Sequence, residues 1–136
     1  MRAVRSRIAA SLADDGGSSP VEFVLVGTML TVLTLGVLQL GLSIYVRNVV
    51  HDAAVEGAFH AALADTSLED GARRTREIIA RTVGREYATD VAVAENPALG
   101  HPSVEVSVHT TLPLIGLLGA PRSMEVTAHA PVESFD

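Results

Sequence analysis

The 136-residue chain contains no cysteine, no tryptophan and no lysine, so each of its ten basic residues is an arginine. Without cysteine it can form neither a disulfide scaffold nor a cysteine-ligated zinc site, and it has no thiol nucleophile. A formal net charge of -6 argues against dedicated nucleic-acid binding, because neutralising phosphates requires a basic surface. We therefore predict no nucleic-acid partner.

Motifs for catalysis and cofactor binding are also missing. None of the five histidines has the spacing of a zinc motif such as H-E-x-x-H. His109 and His129 could face each other across adjacent strands, which would bind a metal only adventitiously. The sequence has no G-x-S-x-G motif, no phosphate-binding loop and no basic-aromatic array. We predict neither an enzymatic activity nor a cofactor.

The most prominent feature that is present is a run of 24 uncharged residues, Phe23 to Val46. At about 1.5 Å per residue, this run reaches about 36 Å as a helix and can cross a hydrocarbon core of about 30 Å. The run therefore predicts a transmembrane helix at about 23–46, surrounded by membrane lipid.

Charges on either side of the run predict its orientation. Arg2, Arg5 and Arg7 precede it, whereas Arg47 follows it directly. The positive-inside rule then places the N-terminus in the cytoplasm and the C-terminal region outside. Residues 1–17 lack the apolar core of a secretory signal, so any cleavage there would keep the span. We predict a single-pass protein of the cytoplasmic membrane.

Between the basic leader and the span lies the segment Gly17-Ser18-Ser19-Pro20-Val21-Glu22-Phe23. A carboxylate at the edge of a membrane span is costly unless it is paired or solvated, which makes Glu22 a candidate functional residue. The alternative is an ordinary carboxylate near a helix start, favoured by the helix dipole and still reached by water. Pro20 suits a first helical turn, where its missing N–H costs nothing.

This segment resembles the processing site of type IV prepilins, in which a membrane peptidase cuts after a glycine and leaves glutamate at the fifth position. Counted from Ser18, Glu22 is the fifth residue, and Glu22 with Phe23 is similar to the Glu-aromatic pair of Flp pilins. The resemblance implies cleavage by a prepilin peptidase between Gly17 and Ser18. It also implies that Glu22 and Phe23 act in subunit assembly, where Glu22 meets the new amino terminus of a neighbouring subunit.

An alanine-rich segment after the span contains the sequence Ala53-Ala54-Val55-Glu56-Gly57-Ala58. With it, residues 14–64 resemble the TadE-like family, the minor pseudopilins of Flp/Tad type IVb pilus systems. The resemblance implies a pilus assembly subunit, with other pilins and pseudopilins, a prepilin peptidase and the Tad inner-membrane assembly machinery as partners. The alternative is an uncleaved, signal-anchored extracytoplasmic protein that binds other envelope components.

Apolar and small residues after the span continue at spacings of three and four, so we predict one helix of roughly 45 residues. This alanine and glycine stripe packs either inside the subunit or against a neighbour. Thr66 and Glu69 fit a capping box that starts a second helix, ending at about Glu86. The arginine-rich face of that helix is either solvated or bound to an acidic partner.

From Asp90 onward the period changes to two, which predicts two or three antiparallel strands with one buried face. The expected fold class is therefore α+β, with a long N-terminal helix, a short second helix and a small antiparallel sheet. We expect a leader at 1–17, a span and stalk helix at 18–65, and a small extracytoplasmic domain at 66–136. The apolar segment Leu114–Leu118 is predicted to cover the core or to contact a partner pilin or a membrane surface.

Overall fold

The computed structural model describes residues 18–97, 100–113 and 123–133. The leader and Leu114–Leu118 lie outside these residues. The chain divides between Leu38 and Gln39 into two units. The elements are α1 (Ser18–Ala62), α2 (Leu68–Thr82), a short 3-10 helix (Arg85–Tyr87), β1 (Asp90–Glu95), β2 (Ser103–Thr110) and β3 (Met124–Pro131). This architecture confirms the α+β prediction, and the 45 residues of α1 match the expected length.

The first unit contains the N-terminal part of α1, in which every residue from Ser19 to Leu38 is exposed. By length and composition, α1 is able to cross a membrane. Thr28, Thr31 and Thr34 each donate their hydroxyl to the carbonyl four residues earlier, at 2.7 to 2.8 Å. Their polar groups are thus satisfied within the helix, which suits apolar surroundings.

In the second unit, the C-terminal part of α1 packs on one face of the sheet. Its buried residues recur at helical spacing and include Val46, Val50, Ala53, Ala54 and Ala58. They join the sheet valines and Ile79 of α2 in one hydrophobic cluster. Of the two alternatives for the alanine stripe, packing inside the subunit is therefore the one observed.

Helix α2 begins with a capping box of Ser67 and Asp70. The Ser67 hydroxyl accepts the Asp70 N–H at 3.2 Å, and the Asp70 carboxylate accepts the Ser67 N–H at 3.0 Å. The predicted box of Thr66 and Glu69 was wrong by one residue. The Thr66 hydroxyl is instead turned toward the end of α1, where it donates to the carbonyls of His60 and Leu63.

Helix α2 ends at Thr82, before the predicted Glu86, because the chain turns at Gly84. Gly84 has a φ of 127°, a backbone conformation that residues other than glycine rarely adopt. The N–H groups of Val83 and Gly84 both donate to the carbonyl of Ile79, at 2.9 and 3.2 Å. This turn satisfies a terminal carbonyl and directs the chain into the 3-10 helix and β1.

The two helices contact each other through glycines. A Cβ on Gly57 would lie 2.8 Å from the Gly71 carbonyl oxygen and would overlap the Thr75 hydroxyl. A Cβ on Gly71 would lie 2.7 Å from the Gly57 carbonyl oxygen and 2.5 Å from the Ala61 Cβ. Because Gly57 meets Thr75 and Ala61 meets Gly71, α1 and α2 run antiparallel at this contact.

The three strands form an antiparallel sheet in the order β1-β2-β3. Side chains of β2 and β3 alternate between a buried face and a more exposed one, as the period of two predicted. The register places His109 opposite Glu125 and His129 opposite Glu105, so the prediction that the two histidines face each other was wrong. Each histidine therefore lies opposite a glutamate, because the two strands of equal length align from end to end.

Candidate functional site

The candidate assembly site lies in the first turns of α1. The helix begins at Ser18, so Pro20 lies in its first turn and Glu22 is its fifth residue. Glu22 and Phe23 are both exposed, and the Phe23 side chain is 79% accessible. Gly17, on the other side of the predicted cut, lies outside the described residues. The structure therefore places Glu22 and Phe23 together at the start of an apolar helix surface.

This apolar surface continues along α1 from Val21 to Tyr45, with large side chains exposed in nearly every turn. An apolar surface of this extent is not stable in water and requires lipid or neighbouring helices. Gly27, Gly36 and Gly41 lie within it, and no described atom beyond the local helix lies within 4 Å of a Cβ built there. These glycines leave room for a second helix to approach closely.

Ion pairs occupy much of the arginine-rich face of α2. Arg73 bonds to Asp70 at 2.7 Å and Arg76 to Glu69 at 3.0 Å. Arg74 contacts Glu56 of α1 at 3.1 Å, a pair that sequence reasoning missed because only the glycine contact brings these positions together. The positive charge of this face is thus partly neutralised by carboxylates of the same subunit. This neutralisation argues against the alternative that the whole face binds an acidic partner.

The histidines and carboxylates form no metal centre in the part of the chain that the structure describes, where no group of three such residues could hold an ion. The closest arrangement is His129 Nδ1 at 3.7 Å from Glu105 Oε2 on the more exposed face of the sheet. This is a cross-strand pair of opposite charges when the histidine is protonated. It provides no catalytic constellation.

The residues that build α1 also carry the relationship to known proteins. Residues 17–58 match the family model of TadE-like proteins. The match covers about a third of the chain and confirms the resemblance predicted from Gly17, Glu22 and the alanine-rich segment. No curated protein and no solved structure matches the chain.

The TadE-like segment runs from Gly17 through the exposed apolar surface and ends one residue after Gly57. It contains the α1 side of the glycine contact but no part of α2 or the sheet. The match indicates a protein associated with a Tad pilus, which implies interaction with other pilus components. The exposed apolar helix is compatible with a single-pass membrane anchor.

Proposed function

We propose that this chain is a minor pseudopilin of a Tad (Flp, type IVb) pilus system, a non-enzymatic subunit that assembles with other pilins and pseudopilins. The observation that carries the proposal is the match over residues 17–58, which begins at the proposed cut and contains the fully exposed apolar part of α1. Further partners would be the prepilin peptidase and the Tad inner-membrane assembly machinery.

In this proposal α1 spans the cytoplasmic membrane once, with the N-terminus in the cytoplasm and the α+β domain outside. The three arginines of the leader support this orientation through the positive-inside rule. The satisfied threonine hydroxyls and the exposed apolar side chains support residence in lipid or among other helices. Incorporation into a pilus would exchange the lipid contacts for contacts with neighbouring subunits.

Processing between Gly17 and Ser18 fits the start of α1 at Ser18, because a cut there removes the leader and leaves the whole helix. Glu22 then becomes the fifth residue of the mature chain, four residues from a new α-amino group. In a packed assembly, this carboxylate would pair with the amino terminus of a neighbour, where low dielectric strengthens the attraction. Exposed Phe23 would pack against the same neighbour.

The test is the N-terminus of the protein extracted from membranes of cells with and without the prepilin peptidase. We expect a chain that starts at Ser18 only when the peptidase is present, as read by intact mass or N-terminal sequencing. Gly17→Arg should block the cut, since it puts a large side chain where the peptidase accepts glycine. The matched control Gly16→Ala should be cut normally.

A chain that still starts at Met1 in cells with active peptidase would contradict the pseudopilin proposal. The uncleaved signal-anchored alternative would then be the better account of the exposed apolar helix.

A further inference from the structure

The antiparallel contact between α1 and α2 relates positions along the two helices. Gly57 lies beside Thr75, and Ala61 lies beside Gly71. If this alignment continues toward the C-terminal end of α2, Ile79 reaches the level of Ala53, and both of these side chains are fully buried. By the same alignment, the end of α2 at Arg81 and Thr82 reaches the level of His51 and Val50, about one helical turn from Arg47.

Burial on α1 shows how far the folded domain extends along the apolar run. Ser43 and Val46 lie within the run, yet only 9% and 2% of their surfaces are exposed. Ile44 and Tyr45, on other sides of the same turn, are about half exposed. The domain therefore covers one side of the last turn of the run, and this end of the domain lies where the run gives way to Arg47.

Three arginines lie toward this end of the domain: Arg47 at the end of the apolar run, Arg81 in the last turn of α2, and Arg85 in the following 3-10 helix. All three are exposed, and among residues 18–97, 100–113 and 123–133 none of them forms an ion pair. The arginines nearer the start of α2 differ, because each is paired with a carboxylate. We call Arg47, Arg81 and Arg85 the basic cluster.

In the part of the chain that the structure describes, no carboxylate at the same end forms an ion pair with the basic cluster. The Glu86 carboxylate lies against Gly84, within 2.7 Å of where a Cβ would be. Glu125 points to the more exposed face of the sheet, where it is opposite His109, whereas the helices pack on the other face. Asp90 is half-buried at the start of β1. The helix side of this end thus presents guanidinium groups.

We propose that the basic cluster binds the phosphate groups of anionic phospholipids at the membrane surface and thereby holds the domain against it. This inference rests on the proposed membrane anchoring by α1. Guanidinium groups form bidentate hydrogen bonds with phosphate oxygens, and basic residues next to a span are attracted to anionic headgroups. Tyr45, exposed two residues before Arg47, is of the type enriched at membrane interfaces.

The experiment uses the full chain in vesicles of phosphatidylcholine alone or with added phosphatidylglycerol. Because the protein has no cysteine, Thr89→Cys attaches one fluorophore at an exposed position near the basic cluster, and lipids with a spin-labelled headgroup quench it on contact. We expect quenching about twofold stronger in the vesicles with phosphatidylglycerol, and loss of this difference in high salt, where surface charges are screened. A fluorophore on Asp65→Cys, at the far end of α2, should be quenched little in either vesicle.

Charge-matched variants separate the basic cluster from general electrostatics. Arg81→Gln with Arg85→Gln should reduce quenching to the level in phosphatidylcholine alone, whereas Arg73→Gln with Arg74→Gln should leave it unchanged. Arg81→Lys with Arg85→Lys should retain most of the lipid dependence. Equal quenching of the wild-type chain in both kinds of vesicle would overturn the inference. An equal loss of quenching in the Arg81/Arg85 and the Arg73/Arg74 double glutamine variants would overturn it as well.

Flotation of the vesicles distinguishes this inference from the proposed function on which it rests. A chain that floats with phosphatidylcholine vesicles but shows no dependence on phosphatidylglycerol contradicts only the lipid-binding role of the basic cluster. A chain that does not float with either vesicle contradicts membrane anchoring and, with it, the inference.

Discussion

The carboxylate that caps α2 gives the domain a pH dependence. The Ser67 hydroxyl and N–H and the Arg73 guanidinium lower the pKa of Asp70 from 3.8 to about 2. Since the folded-state pKa is the lower one, the stabilisation is fully present above about pH 4 and is lost as the pH falls toward 2. Asp70→Asn should therefore be less stable than wild type at pH 6, with a difference that shrinks between pH 4 and pH 2.

Thermal unfolding of the detergent-solubilised chain, followed by circular dichroism across this pH range, would measure the effect. Glu77→Gln removes an exposed carboxylate from the same helix without touching the cap and serves as the control. A difference between wild type and Asp70→Asn that stays constant from pH 6 to pH 2 would rule out the assigned role of the Asp70 charge.

Glu22 is expected to matter for assembly far more than for folding. Glu22→Ala and Glu22→Gln should leave membrane insertion and the protease resistance of the domain unchanged, because the first turns of α1 are exposed. Both should lower co-purification with other pilin-like subunits several-fold, since the amino terminus of a neighbour loses its partner in a poorly solvated place. Normal partner recovery and normal piliation by both variants would make Glu22 an ordinary helix-start residue.

At the scale of elements, the contact between α1 and α2 depends on the absence of side chains at Gly57 and Gly71. Gly57→Ala would place a methyl group against the Thr75 hydroxyl and the Gly71 carbonyl. We expect a loss of about 1 to 3 kcal/mol in the free energy of unfolding, as for overpacked cores, despite the higher helix propensity of alanine.

Urea unfolding of the domain would measure this loss, with Gly71→Ala as a second variant on the opposite helix. Gly36→Ala is the matched control, because no described atom beyond its local helix lies within 4 Å of a Cβ built there. If Gly57→Ala were as stable as Gly36→Ala, the helices would not need this close approach.

The periodicity of the sequence predicted the helices and strands of this chain better than it predicted which residues of different elements contact each other. The uncharged run and the spacing of three and four after it correctly indicated α1. The alternation from Asp90 onward correctly indicated the sheet. Local patterns could not decide which of two adjacent boxes caps α2, because the Thr66 side chain is turned away from α2, toward carbonyls at the end of α1, only in the folded chain. Nor could they give the strand register that separates His109 from His129, since a period of two fixes faces but not pairing.

The same distinction applies to the proposed functional residues. Glu22 and Phe23 could be proposed from sequence because the leader, the proposed cut and the span are contiguous in it. The basic cluster could not, since Arg47 and Arg85 are distant in sequence, and only the antiparallel packing of α1 and α2 indicates that they lie toward the same end of the domain. A site formed by one continuous segment can be predicted from sequence. A site formed by residues of two packed helices can be predicted only when the register of the helix contact is known.

For the whole molecule, the proposed topology predicts where a fused reporter is active. A phosphatase that works only outside the cytoplasm should be active when fused after Asp136, and a cytoplasmic reporter at the same position should not. Protease added to spheroplasts should digest the region after Arg47. Protection of that region, with an inactive phosphatase, would reverse the orientation inferred from Arg2, Arg5 and Arg7.

The packing of α1 on the sheet also determines where a water-soluble fragment could be cut. A fragment that starts at Thr66 would retain α2 and the strands but would lose Val50, Ala53 and Ala54, which cover the sheet valines. Its newly exposed valine face would favour aggregation. A fragment that starts at about Arg47 keeps nearly all of that cover and omits most of the lipid-compatible surface, which makes it the better starting point for crystallisation or binding studies in solution.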